Sequence, residues 1–244
     1  EAGVWGDDSR GHAHAYALGL LMKRRALVLG APGQDGSYAC ELLLAKDYEV
    51  FALVRRSSTD NLGRIRALIE GDAIHVLHGD LTDTPSLEKA LISSRPQEVW
   101  NLGAQSFVAD SFIAPLHTGD VTGLGALRLF EAVRLMTTVT EGVRIYQASS
   151  SEMFGNAPAP QDETTPVNPQ SPYACAKVFA HFCAQLYRQA YGMFIACGIG
   201  DNHESERRGE EFVTRKITKA VAAIKTGQQD SLRLGRLDAQ RDWS

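Results

Sequence analysis

Ala26-Leu27-Val28-Leu29-Gly30-Ala31-Pro32-Gly33-Gln34-Asp35-Gly36 is the stretch on which the fold turns. Four apolar residues in a row, with no polar alternation, read as a short strand buried on both faces, as in a parallel sheet. Gly30, Gly33 and Gly36 then give a G-x-x-G-x-x-G loop that opens into a helix. Such a loop turns tightly, lets backbone approach a pyrophosphate and aims a helix N-terminus at its charge. By itself the motif fits an ordinary turn equally well; its place directly after a strand selects the cofactor loop. Gly30, Gly33, Gln34, Asp35 and Gly36 are the first candidate cofactor residues. Pro32 withholds one N–H donor from the loop.

Outward from this stretch, short apolar runs alternate with amphipathic ones. Further strands are expected over Glu49–Val54, Ile74–His78, Glu98–Asn101, Arg144–Ser149 and Met193–Ile199. Helices are expected over Tyr38–Lys46, Leu87–Ser93, Leu124–Met136 and Tyr173–Tyr191, with Thr84-Pro85 placing a proline at a first helical position. Strand and helix in strict alternation predict an α/β protein with a doubly wound parallel sheet. Gly155–Pro172 carries five prolines and reads as a loop. Beyond Asp201 the chain turns charged, forms a helix over Phe212–Lys225, and reads as one more strand over Ser231–Leu234. Residues 1–22 read as a disordered extension, 23–200 as the dinucleotide-binding domain and 201–244 as part of a substrate-binding region.

Composition narrows the function. Hydrophobic residues at 44% and charged residues at 22% are those of an ordinary globular protein, and a net charge of −4 argues against nucleic acid or anionic membrane as partner. No apolar run reaches the ~18 residues of a membrane span. Cys40, Cys175, Cys183 and Cys197 have no metal-ligand spacing, so no metal is expected and a reducing, cytoplasmic setting is.

The strand ends carry the chemistry. After the second strand, where NAD-binding chains place an acid for the ribose, this one has Arg55-Arg56-Ser57-Ser58. Two guanidinium groups and two hydroxyls suit a 2′-phosphate, so NADP is expected. Asp80-Leu81 follows the third strand, toward the adenine, and Leu102-Gly103-Ala104-Gln105-Ser106 follows the fourth, toward the nicotinamide. Tyr173 and Lys177 stand one helical turn apart on one face, where an ammonium favours a phenolate. Ser149-Ser150-Ser151 ends the fifth strand, and Glu152 adds a second acid/base that simple alcohol oxidation does not require.

Taken together, these motifs resemble nucleotide-sugar dehydratases of the extended short-chain dehydrogenase/reductase class, the GDP-mannose 4,6-dehydratase family in particular. The stretches are Gly33–Tyr38, Val54–Ser58, Asn101–Ser106, Gln147–Glu152, Ser171–Tyr173, Asn202–Ser205 and Arg241–Trp243, spread from Arg25 to Trp243. The resemblance implies a Rossmann domain with an incomplete small C-terminal substrate domain. It implies Ser150, Glu152, Tyr173 and Lys177 as catalytic, His203 and Arg208 near the cofactor, and Ser106, Asn202, Lys216 and Arg241 near the sugar nucleotide. Phe107 stands where the family has a histidine, Asp201 where it is apolar and Glu206 where it has proline. The added negative charge and the stop at Ser244 predict weakened substrate handling.

The activity implied is a lyase that removes water from GDP-mannose, through transient oxidation at C4 by bound NADP, to give GDP-4-keto-6-deoxymannose. A homo-oligomer, dimer or tetramer, is expected. A nucleotide-sugar 4-epimerase or 4-reductase would use Tyr173 and Lys177 without needing Glu152. A truncated, non-catalytic dinucleotide-binding paralogue is the third reading.

Overall fold

A computed structural model describes residues 23–136, 140–235, 237–238 and 242–243. Six strands, β1 (Arg25–Leu29), β2 (Glu49–Val54), β3 (His75–His78), β4 (Glu98–Asn101), β5 (Arg144–Ser150) and β6 (Phe194–Gly200), form one sheet in the order β3-β2-β1-β4-β5-β6. All pairings are parallel. The fold is Rossmann-like, and its order reverses between β1 and β4, which opens a crevice at the carboxyl ends of the strands. The helices are α1 (Gln34–Ala45), α2 (Arg66–Glu70), α3 (Thr84–Ser94), α4 (Val108–Ile113), α5 (Pro115–Thr118), α6 (Gly125–Leu135), α7 (Pro172–Tyr191) and α8 (Val213–Lys225).

The unalternating run in β1 is explained by cores on both faces of the sheet. Leu27 and Leu29 pack with Leu91, Leu129, Phe130 and Ile145 on one side, while Ala26 and Val28 pack with Cys40, Leu43 and Ile65 on the other. Helix α7 starts cleanly because the Ser171 hydroxyl accepts from Ala174 N–H at 3.1 Å and Pro172 occupies its first turn. It ends at Gly192, whose φ of 65° suits glycine.

Several expectations are corrected. Ser231–Leu234 forms no strand: among the described residues it joins no ladder, and the bridge in this region joins Asn202 to Trp243. Helix α3 starts at Thr84, so Pro85 sits one residue inside it. Helices α2, α4 and α5 were not expected, nor was the π-helical stretch Gly119–Leu124 that runs into α6. Residues 1–22 and Arg241 lie outside the described residues. No helix among those described is long and apolar enough to cross a membrane.

Candidate active site

The crevice at the carboxyl ends of the strands is a cavity of about 670 Å³. Its floor is the glycine loop. Gly30 has φ of 76°, and a Cβ there would lie 2.8 Å from Gly103 N, so only glycine lets the loop after β4 come this close. A Cβ on Gly36 would fall 2.2 Å from Gly30 O, because α1 starts hard against the end of β1. The two contacts leave a backbone cradle at a helix N-terminus, the form that a pyrophosphate requires.

One wall is stitched together from β5 and α7. Lys177 Nζ donates to Ala148 O at 2.8 Å, and Ser149 Oγ lies 2.9 Å from His181 Nδ1. Two consecutive residues at the strand end are thus tied to successive turns of one helix, and Ser150 follows them beside Tyr173. Glu152 N–H donates to Ser150 Oγ at 3.2 Å, which places the carboxylate's backbone beside the same hydroxyl. Ser150, Glu152, Tyr173 and Lys177 all line the cavity.

The electrostatics differ from the expectation that Lys177 simply eases Tyr173 toward phenolate. Burial pushes the Tyr173 phenol up to about 12, against a smaller downward pull from Ser150. Burial likewise brings the Lys177 ammonium down to about 8. Lys177 Nζ stands 5.7 Å from the Tyr173 ring centroid and spends a hydrogen bond on Ala148 O. Desolvation therefore outweighs the cation in the protein alone.

The segment after β6 covers the cavity. His203 Nε2 lies 3.0 Å from both carboxylate oxygens of Asp35, which holds the Asp35 carboxyl below its usual range and the imidazole above its own. Ser205 Oγ donates to Gln34 Oε1 at 2.9 Å, and Arg207 donates to Ser37 Oγ at 2.9 Å and Glu41 Oε1 at 2.5 Å. Arg208 Nε is buried 3.3 Å from Glu204 Oε1, an ion pair by distance but off-line for a hydrogen bond.

Residues 27–244 match the family model described as GDP-mannose 4,6 dehydratase. The chain belongs to the GDP-mannose 4,6-dehydratase family. It is 53% identical over 229 residues to GDP-mannose 4,6 dehydratase 2 of Arabidopsis thaliana, an alignment covering 91% of this chain and 61% of that one. Identity to GDP-mannose 4,6 dehydratase of Homo sapiens is 49% over 225 residues, covering 89% and 60%. The chain thus spans about 61% of the length of these relatives. Among solved structures, UDP-glucose 4-epimerase from Thermus thermophilus, in complex with NAD, is similar with a TM-score of 0.75 at 27% identity, over 90% of this chain and 70% of that one. A dTDP-glucose 4,6-dehydratase double mutant from Streptomyces venezuelae, with NAD bound, reaches 0.76 at 23%, over 90% and 67%, a likeness of fold.

Of the positions expected from the sequence, Gly30, Gly33, Gln34, Asp35, Gly36, Arg55, Asp80, Leu81, the run Leu102–Ser106, Asn202, His203 and Arg208 all line the cavity. Arg56 does not. It lines an adjoining cleft with Arg55, His78 and Lys89. Ser57 and Ser58 line neither, because the chain turns outward there and Ser57 Oγ pairs with Thr59 Oγ1 at 3.0 Å. Lys216 lies exposed on α8 and does not line the cavity. Sequence reasoning missed Arg64, which donates to Pro32 O at 3.2 Å and to Arg207 O at 2.7 Å, and the cavity-lining His117 and Phe212. Nothing in the local sequence marks Arg64, whose partner lies 143 residues away.

Proposed function

We propose that this chain holds the cofactor-binding and catalytic parts of an enzyme that dehydrates GDP-mannose to GDP-4-keto-6-deoxymannose. The observation that carries the reading is Glu152 on one cavity wall with Ser150, Tyr173 and Lys177, in a chain of this family. The glycine cradle supports a dinucleotide laid across the crevice, with Asp80 and Leu81 toward its adenine end. Arg55, shared between the cavity and the adjoining basic cleft, supports NADP over NAD. When bound, NADP would supply the hydride acceptor and donor, and a positive ring whose charge opposes the burial that raises Tyr173.

Tyr173 Oη takes the proton of the sugar C4 hydroxyl, with Ser150 holding that hydroxyl in line. Oxidation at C4 leaves a keto group that acidifies the C5 proton. Glu152 removes that proton and returns one to the C6 hydroxyl, which departs as water. The hydride taken from C4 would then be returned to C6, with a proton to C5, to give the 6-deoxy sugar and restore NADP. Lys177 keeps the end of β5 fixed through Ala148 O while the charge on Tyr173 changes.

A 4-epimerase or 4-reductase would exchange hydride at C4 alone, with no proton taken from C5 and no water lost. Glu152→Gln therefore decides between them: incubation with GDP-mannose should reduce the cofactor and leave a 4-keto sugar that retains its C6 hydroxyl, seen by mass. Normal product at the normal rate would overturn the dehydratase reading. The unpaired Cys40, Cys175, Cys183 and Cys197 support a cytoplasmic setting. Exposed Phe179, Phe182 and Leu186 on α7 support a homo-oligomer, dimer or tetramer.

A further inference from the structure

Residues 200–212 span the cavity as an arch with two unlike feet. Gly200, Asp201, Asn202, His203, Arg208 and Phe212 line the cavity from this side. One foot stands on α1 and is polar: His203 meets Asp35, Ser205 donates to Gln34, Arg207 donates to Ser37 and Glu41, and Tyr38 donates to Glu206 at 3.1 Å. The other foot is one aromatic contact. The Phe212 ring meets Phe107 with centroids 5.5 Å apart and planes at 75°, an edge-to-face pair.

Both rings are presented on stiff supports. Gln105 Nε2 donates to Phe107 O at 3.0 Å, and Thr118 Oγ1 donates to Gln105 Oε1 at 3.1 Å, so the loop after β4 is fixed. On the arch, the Arg208 guanidinium lies 3.6 Å from the Phe212 ring centroid, and Glu204 accepts from Thr214 Oγ1. The loop and the arch are each braced internally. Among the described residues, the ring contact is the link between them.

We propose that Phe107 and Phe212 form a latch that retains the bound dinucleotide, with the arch opening about its polar foot on α1. The proposal rests on the cofactor reading above. A ligand lying along the glycine cradle sits beneath the arch, so entry and exit both require a foot to lift. Breaking the α1 foot means separating several hydrogen bonds and ion pairs together, whereas the other needs one ring contact to part. A latch differs from a simple ligand contact in its kinetics. Weakening a latch speeds entry and exit alike and leaves Kd nearly unchanged, while loss of a ligand contact speeds exit alone.

Stopped-flow fluorescence with NADPH, using excess NADP to follow release, separates these cases. Phe107→Ala should raise both association and dissociation rate constants about 3–10-fold, the worth of an aromatic pair. Kd should stay within about twofold, and Phe107→Tyr, which keeps the edge-to-face pair, should restore both rates. Adding Phe212→Ala to Phe107→Ala should change the rates little further, as expected for two residues acting through one contact. Unchanged rates in Phe107→Ala would overturn the latch, and so would a faster release with unaltered association. Unmodified protein that binds no NADPH would overturn the cofactor reading and the latch with it.

Discussion

Helices α7 and α8 are both amphipathic, yet they are held very differently. Over its 20 residues α7 buries seven, among them Tyr173 and Lys177, while α8 in 13 residues buries Ala220 alone. Val213, Val221 and Ile224 of α8 remain exposed at 45%, 57% and 40%. The contrast separates the two halves of the proposed site. Groups that must hold a proton in register stand on an element packed against the sheet, whereas α8 offers an apolar face that nothing covers among the described residues. The relatives are longer than this chain, and α8 stands where its packing is thin.

Four measurements sharpen or break that contrast. Tyr173→Phe should slow cofactor reduction by GDP-mannose about 10²–10⁴-fold, the usual scale for a lost acid/base group, and leave NADPH affinity unchanged. A comparable loss from Val221→Ser would show that α8 matters as much as α7. Next in size, Arg55→Ala should cost about 10–100-fold in NADPH affinity with little change for NADH, as expected for a charge-assisted phosphate contact. Equal affinity of the unmodified protein for the two would remove the case for NADP.

Stability should follow the same division. Ala180→Leu, at a fully buried position on α7, is expected to cost about 1–3 kcal/mol by overpacking in chemical denaturation. Val221→Ser on α8 should stay within about 0.5 kcal/mol. The smallest effect concerns His203 and Asp35. The folded protein raises the His203 pKa, so its contribution is full below the ordinary value of about 6.5 and fades as pH rises through the raised one. Asp35 is lowered, so its contribution holds above about 3.9 and fades as pH falls through the lower value. Both side chains are nearly half exposed, which limits the pair to less than about 1 kcal/mol. His203→Gln should therefore lower Tm slightly at pH 5.5 and not measurably at pH 9, and an equal loss at both would exclude the ion pair.

What the sequence made legible was local. The strand-to-helix alternation is written in apolar runs, so β1 through β6 fall within a residue or two of where those runs place them. Tyr173 and Lys177 could be read from their spacing, and the glycine loop from its place after β1. Ser231–Leu234 misled because a short alternating run says nothing about whether a partner strand is at hand. Helices α4 and α5 escaped because Ala114-Pro115 breaks their periodicity, and the wider turn at Gly119–Leu124 shifts it again. Around Tyr173, spacing reveals the nearby ammonium but not the burial that opposes it. Arg64, Arg207 and the Phe107–Phe212 contact were invisible, since each joins residues more than 100 positions apart or depends on one that does.

The stitching of β5 to α7 also bears on how such a chain can diversify. Between the stitched elements runs the proline-rich stretch from Gly155 to Ser171, and its neck is closed by Asn168 N–H donating to Met153 O at 2.9 Å. The loop beyond that neck is anchored at both ends by bonds that do not depend on its length. Doubling such a loop adds only about 0.6 kcal/mol of closure entropy. Insertions around residues 158–164 can accordingly reshape the surface there while Ser150 and Tyr173 keep their spacing. Tolerance of change and constancy of chemistry sit here a few residues apart.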